Sequence, residues 1–186
     1  MKRHFHNELE ALRARLVLMG ERAMDSVRLA MQSVTERDFA LADQVLNMDD
    51  EIDDLESEIE HEAVRYITLR QPIASDLRLL MVALKASHDI ERVGDEATSI
   101  AKRCRKVFAS SPTLDLLNIP EMTEMATLML GHSLDSFIRE DADLALEICR
   151  RDRQVDVLNR DNYKGFLELI QLEEGDSRPI LELIFV

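Results

Sequence analysis

The chain has no tryptophan, aromatic residues make up 4% of it, and only five glycines and four prolines punctuate its 186 residues. Turn-forming residues are this scarce while Leu, Ala, Glu, Asp, Arg and Met abound, so long helices are favoured over strands and an all-α fold is expected. The two cysteines, Cys104 and Cys149, lie far apart and form no C-x-x-C, which argues against a zinc ribbon or a thioredoxin-like site. Two buried, reduced thiols are expected instead. No run approaches the roughly 18 apolar residues of a membrane span, and no apolar stretch follows the first residues, Met1-Lys2-Arg3-His4-Phe5-His6-Asn7-Glu8. A cytoplasmic location is expected, peripheral to a membrane at most.

Positive charge is also in short supply. The 37 acidic residues outnumber the 23 basic ones and give a formal net charge of −14. Such a field repels phosphate backbones and anionic lipid, so nucleic acid is not an expected partner. It attracts cations and basic protein surfaces, although a solvated charged face also serves solubility. What the chain does have is 46% hydrophobic residues, enough to supply a core.

Those residues fall in helical rhythm. Leu9, Leu12, Leu16, Met19, Ala23, Val27, Ala30 and Val34 mark one face of a first helix, which breaks near Thr35-Glu36-Arg37-Asp38. Val45, Met48, Ile52, Leu55, Ile59, Tyr66 and Leu69 carry a second helix over roughly 37–69. Gln71-Pro72 ends it, because the residue before proline is biased away from helix. Pro72 is expected to open a third helix, with the seam Ala83, Ala86, Ile90, Val93, Ala97, Ile100, Cys104 and Val107. Ser110-Ser111-Pro112-Thr113 and Asn118-Ile119-Pro120 read as a linker before a fourth helix begun by Met122, Met125, Met129, Ser133 and Phe137.

The halves repeat. Asp38-Phe39-Ala40-Leu41-Ala42 matches Asp141-Ala142-Asp143-Leu144-Ala145, and Ile52-Asp53-Asp54-Leu55 matches Val155-Asp156-Val157-Leu158, at an offset of about 103 residues. The organisation expected is a tandem repeat of three-helix bundles, residues 1–110 and 119–186. The second is incomplete: its third helix would begin near Pro179 and consist of little more than Ile180 to Val186, too short to cover helix five. Exposed apolar surface there would favour disorder or pairing with another copy.

Acidic pairs one helical turn apart stand out: Glu91 with Asp95, Asp49 with Asp53, and the repeat counterparts Asp152 with Asp156. Like charges at i and i+4 repel and cost an isolated helix roughly 0.2–0.5 kcal/mol per pair. His88, Glu91 and Asp95 share a face away from the apolar seam, pointing outward or along the bundle edge, and two adjacent helices can bring four carboxylates together. Carboxylates with an optional imidazole suit magnesium, calcium or manganese and accept iron or zinc. The plainer reading is a solvated face with Arg92, Lys102 or Arg103 nearby.

Glu58-Ile59-Glu60-His61 is an E-x-x-H of the kind used by di-iron carboxylate bundles, but a second copy is missing. A ferritin-like di-metal oxidoreductase is therefore the alternative, beside a metal-free helical interaction module. No G-x-S-x-G, Walker loop, Gly-rich dinucleotide turn or Cys/His nucleophile arrangement is present, so no catalytic residue is assigned and binding is favoured over catalysis.

The run Leu84-Lys85-Ala86-Ser87-His88-Asp89-Ile90-Glu91-Arg92-Val93-Gly94-Asp95-Glu96-Ala97-Thr98-Ser99-Ile100-Ala101 resembles the third-helix signature of the PhoU family. Gln71-Pro72-Ile73-Ala74-Ser75-Asp76-Leu77-Arg78 and Leu134-Asp135-Ser136-Phe137 extend the resemblance from helix one through helix five. It implies two tandem three-helix bundles, a cytoplasmic location close to the membrane, and a non-enzymatic negative regulator of phosphate uptake. In that family the protein is thought to link the ATPase subunit of a phosphate ABC transporter to a sensor histidine kinase, damping starvation signalling when phosphate is plentiful. A homodimer is expected. The family's E(D)-x-x-x-D motifs bind metal clusters in some members, and they correspond here to Asp49 with Asp53, Glu91 with Asp95, and Asp152 with Asp156. The fourth pair falls beyond Val186, and Ser99 stands where many relatives carry Asn.

Overall fold

The computed structural model describes residues 2–108, 114–172 and 176–186, with side chains from Asn7 onward. Among these residues six helices follow one another: α1 (Lys2–Glu36), α2 (Phe39–Arg70), α3 (Ala74–Phe108), α4 (Ile119–Arg139), α5 (Ala142–Leu172) and α6 (Arg178–Leu183). The all-α expectation holds. Ser110 to Thr113, part of the expected linker, lies outside the described residues.

Local chemistry sets the breaks. Arg37 takes a left-handed φ of 58°, and Asp38 then caps α2, its carboxylate accepting from the Ala40 N–H at 2.8 Å and the Leu41 N–H at 3.4 Å. Gln71 closes α2 in the left-handed region at φ 48°, its N–H reaching the Ile67 carbonyl. Pro72 does not sit inside the first turn of α3 as its position in the sequence suggested. The helix starts at Ala74, with the Leu77 N–H bonded to the Ile73 carbonyl at 3.0 Å. Pro72 therefore acts as a stop between a left-handed cap and the next helix. Ile119 and Pro120, read from the sequence as linker, instead open α4, where proline in the first turn gives up no helical hydrogen bond.

α1, α2 and α3 pack on one another as a three-helix bundle, α4 lies against α1 and α5, and α6 touches α3 and α5. The α1 stripe read from the sequence is the centre of this core: Leu12, Leu16, Met19, Ala23, Ala30 and Val34 are all buried. Two apolar clusters result. One joins Leu16, Met19, Ile52, Ile59, Leu80 and Ile90 and takes Leu134 from α4. The other joins Val34, Val45, Ala97, Ala101, Cys104 and Val107 and takes Ile119, Phe166, Ile180 and Leu183 from α4, α5 and α6. Residues of the second repeat thus complete both clusters built by the first.

Two expectations need correction. Cys104 is buried and its thiol donates to the Ser33 carbonyl at 3.1 Å, but Cys149 is exposed on the outer side of α5. The short sixth helix does not lie bare either, because Ile180 and Leu183 are buried against α3 in the second cluster. The repeat placed this helix near Pro179; the neighbour that covers its apolar residues comes from the other repeat.

Candidate metal centre

α2 and α3 run close together where the acidic pairs lie. Gly94 permits this approach: a Cβ built there would stand 2.9 Å from Cδ1 of Ile52, a side chain only 1% exposed. Asp53 follows Ile52 and Asp95 follows Gly94, so this close contact lies beside both carboxylate rows.

Asp49 is half-buried and accepts a hydrogen bond from the Thr98 hydroxyl at 3.1 Å, which ties the α2 row to α3. Partial desolvation, then the charges of Asp49, Asp95, Glu56 and Asp50, push the Asp53 carboxyl above its ordinary range. Glu91 is raised in the same way by desolvation, by Asp95 and Glu56, by a hydrogen bond with Asp95, and by Asp53. Each row therefore feels the other across the α2–α3 seam. The site lies along the edge of the α2–α3 seam, with Asp49, Glu56 and Glu91 half-buried and Asp53, His88 and Asp95 exposed.

Glu56 was not singled out in the sequence. It lies three residues after Asp53 and seven after Asp49, on the same side of α2, and that helical step was the available signal. Its Oε1 is 3.3 Å from Nδ1 of His88, which in turn lies 3.9 Å from Oε2 of Glu91. One ligand atom each from Glu56, His88 and Glu91 falls within 4.8 Å of the others. The basic residues that might have neutralised the pairs are directed elsewhere: Arg92 pairs with Asp89 and Arg103 with Glu182. Among the described residues, Asp49, Asp53, Glu91 and Asp95 have no Lys or Arg partner. Clustered carboxylates with raised proton affinity, one imidazole and no organic cation suit a hard or borderline metal ion.

The remaining sequence candidates fall apart from this cluster. Asp152 and Asp156 are exposed on α5, while the one ligand group found among the described residues lies on α2 and α3. The E-x-x-H of α2 does not face an interior cavity, as a ferritin-like centre requires. Glu58 accepts from Arg15 at 2.9 Å, and Nδ1 of exposed His61 lies 2.7 Å from the Ser57 carbonyl of its own helix. Both face away from the core, whose buried positions on this stretch of α2 are Leu55, Ile59 and Ala63.

The PhoU domain family matches residues 16–104 and 119–186, which takes in both acidic rows and α4 to α6. The chain belongs to the PhoU family. A phosphate-specific transport system accessory protein PhoU homolog of Pseudomonas putida is 35% identical over 188 aligned positions, covering 100% of this chain and 72% of that protein. The crystal structure of PhoU from Pseudomonas aeruginosa superimposes with a TM-score of 0.92 at 32% identity, covering 97% of this chain and 87% of the other. That of the phosphate transport system regulatory protein PhoU from Streptococcus pneumoniae gives 0.88 at 25% identity, covering 97% and 86%. Among the described residues no helix is long and apolar enough to cross a membrane.

Proposed function

We propose that this PhoU-family protein is a negative regulator of phosphate uptake and phosphate-starvation signalling, acting beside the transporter rather than as an enzyme. Family membership over nearly the whole chain carries the reading, because relatives that align along nearly all of it are named as accessory and regulatory proteins of phosphate transport. Its partners in this reading are the ATPase subunit of a phosphate ABC transporter and a sensor histidine kinase. It works in the cytoplasm, as a homodimer, with residues 1–110 and 119–186 as its two repeats.

Metal binding forms part of the same proposal. Asp49, Asp53, Glu91 and Asp95 hold an iron, zinc, manganese or magnesium ion, with Glu56 and His88 able to complete the set. A bound cation would neutralise the carboxylate repulsion and clamp α2 to α3. Asp152 and Asp156 contribute a surface contact at most, since they lack a facing row among the described residues.

Disruption of the gene tests the regulatory reading. Phosphate-scavenging genes should become active in phosphate-rich medium, and their normal repression there would refute it. Metal content before and after chelation, compared with an Asp49→Asn, Glu91→Gln double variant, tests the site. Equal metal content and an equal chelator response in the variant would place the metal elsewhere.

A further inference from the structure

The face that α2 and α3 share continues past the carboxylate rows. Steps of three and four carry the α3 row from Asp95, Glu91 and His88 on to Leu84, Met81 and Leu77, and the α2 row from Asp49, Asp53 and Glu56 through Glu60 to Val64 and Ile67. Toward the α2–α3 turn the seam thus changes from acidic to apolar. Ile67 and Leu84 are half-buried against the first cluster, while Ile73, Val64, Met81 and Leu77 stand 72%, 59%, 56% and 39% exposed. Among the described helices α2 touches only α1 and α3, and α6 packs on another side of α3, against Ala101, Cys104 and Val107. The apolar strip therefore belongs to the outer edge of the first bundle.

Charge changes along the same seam. Between Glu62 and Asp89 the sequence carries Arg65, Arg70, Arg78 and Lys85 against Asp76 alone, in a chain whose net charge is −14. Asp76 bears on a different side of the hairpin: after burial, its charge is the next cause that pushes the phenol of Tyr66, a core residue, above its ordinary range. Arg65, 67% exposed, follows Val64, and exposed Lys85 follows Leu84, so cations flank the strip on both helices.

We propose that this end of the α2–α3 hairpin rests on an anionic lipid bilayer, with Val64, Ile73, Leu77 and Met81 at the boundary of headgroups and acyl chains and the four cations at lipid phosphates. From Leu77 to Leu84 the strip covers about two helical turns, enough to dip into that boundary and far short of a span. The acidic bulk of the chain is repelled by such a surface, which leaves this end as the one that approaches it. At physiological ionic strength screening over roughly 8 Å then lets the local cations decide the contact. A second copy would instead set like cations against one another across the strip. The proposal stands whether or not the carboxylate cluster holds a metal, and independently of the regulatory reading.

The chain has no tryptophan, so Ile73→Trp and Leu128→Trp each add a single fluorescent reporter, the first at this end and the second at an exposed apolar site on α4. The full chain carrying either one is titrated with vesicles of phosphatidylcholine alone, and of phosphatidylcholine with an equal part of phosphatidylglycerol. With the anionic vesicles the Ile73→Trp emission should shift to the blue and saturate, while that of Leu128→Trp stays unchanged; neutral vesicles should move neither. In vesicle flotation, Met81→Glu and the Arg78→Gln, Lys85→Gln double variant should each weaken binding about tenfold with helicity by circular dichroism unchanged. Raised salt should weaken it further. No shift of Ile73→Trp with anionic vesicles overturns the proposal, as do an equal shift at both reporters, equal binding to neutral vesicles, or full binding by both flotation variants. A concentration-dependent dimer in sedimentation that Met81→Glu abolishes would overturn it in favour of a second copy.

Discussion

The contact between Gly94 and Ile52 gives the sharpest test of how the two acidic rows are brought together. Gly94→Ala adds a Cβ 2.9 Å from Cδ1 of Ile52 and 3.4 Å from its Cγ2, inside a core with Ile52 only 1% exposed. Overpacking of this kind costs about 1–3 kcal/mol. Replacing a mid-helix glycine by alanine returns about 1 kcal/mol through helix propensity, so the single variant should lose roughly 0–2 kcal/mol. Ile52→Val removes the very Cδ1 that the new methyl meets, and alone costs about 0.5–1.5 kcal/mol. In the double variant the added carbon occupies the vacated space and the propensity gain remains, so stability should return close to that of the parent. A coupling of about 1–3 kcal/mol in the favourable direction follows, read from urea unfolding of the four proteins. Thermal midpoints should move by roughly 2–4 °C per kcal/mol in a chain of this size. If Gly94→Ala stabilises the protein outright and its effect adds to that of Ile52→Val within about 0.5 kcal/mol, the helices are not held at that distance by packing and the reasoning fails.

Four further outcomes are expected. Folding favours the protonated forms of Asp53 and Glu91, so the folded state binds more protons than the unfolded one from the ordinary carboxylate range up to their raised values; without metal, this cluster's contribution to stability should fall as pH rises through that window and level off above it. Circular-dichroism melts in chelator, comparing the parent with Asp53→Asn, Glu91→Gln across that window, should show a flatter profile for the variant; parallel profiles count against the cluster. His88→Ala should weaken zinc or manganese binding by calorimetry while His61→Ala leaves it unchanged, and the reverse pattern would move the site to the E-x-x-H. Phe166→Ala should cost about 3–5 kcal/mol in urea melts, because this α5 ring lies 2% exposed in a cluster shared with α3; a loss below about 1 kcal/mol would mean that the repeats fold independently. Asp38→Ala should lose about 1 kcal/mol by removing the carboxylate that accepts from Ala40 and Leu41 at the start of α2, and no change in melting would show the cap to be idle.

By itself the sequence determined the helices and the composition of their buried faces. Helical periodicity is a local property, so Leu12, Leu16, Met19 and Ala23 could be recognised as one stripe without knowing what covers them. The break near Thr35-Glu36-Arg37-Asp38 was legible as an interruption of that rhythm, and its cause in the structure, the Asp38 cap, is equally local. The i, i+4 spacing likewise marked Asp49 with Asp53 and Glu91 with Asp95, and the PhoU resemblance rested chiefly on the contiguous run around Glu91 and Asp95. Only the tertiary structure decided which of those pairs meet. Distance across a seam depends on how closely two backbones approach, here on the missing side chain of Gly94 against Ile52, and that approach places Glu56 and His88 in the cluster. It also left Asp152 and Asp156 on an exposed face and turned Glu58 toward Arg15, because residues with the same local spacing point at whatever neighbour the bundle supplies.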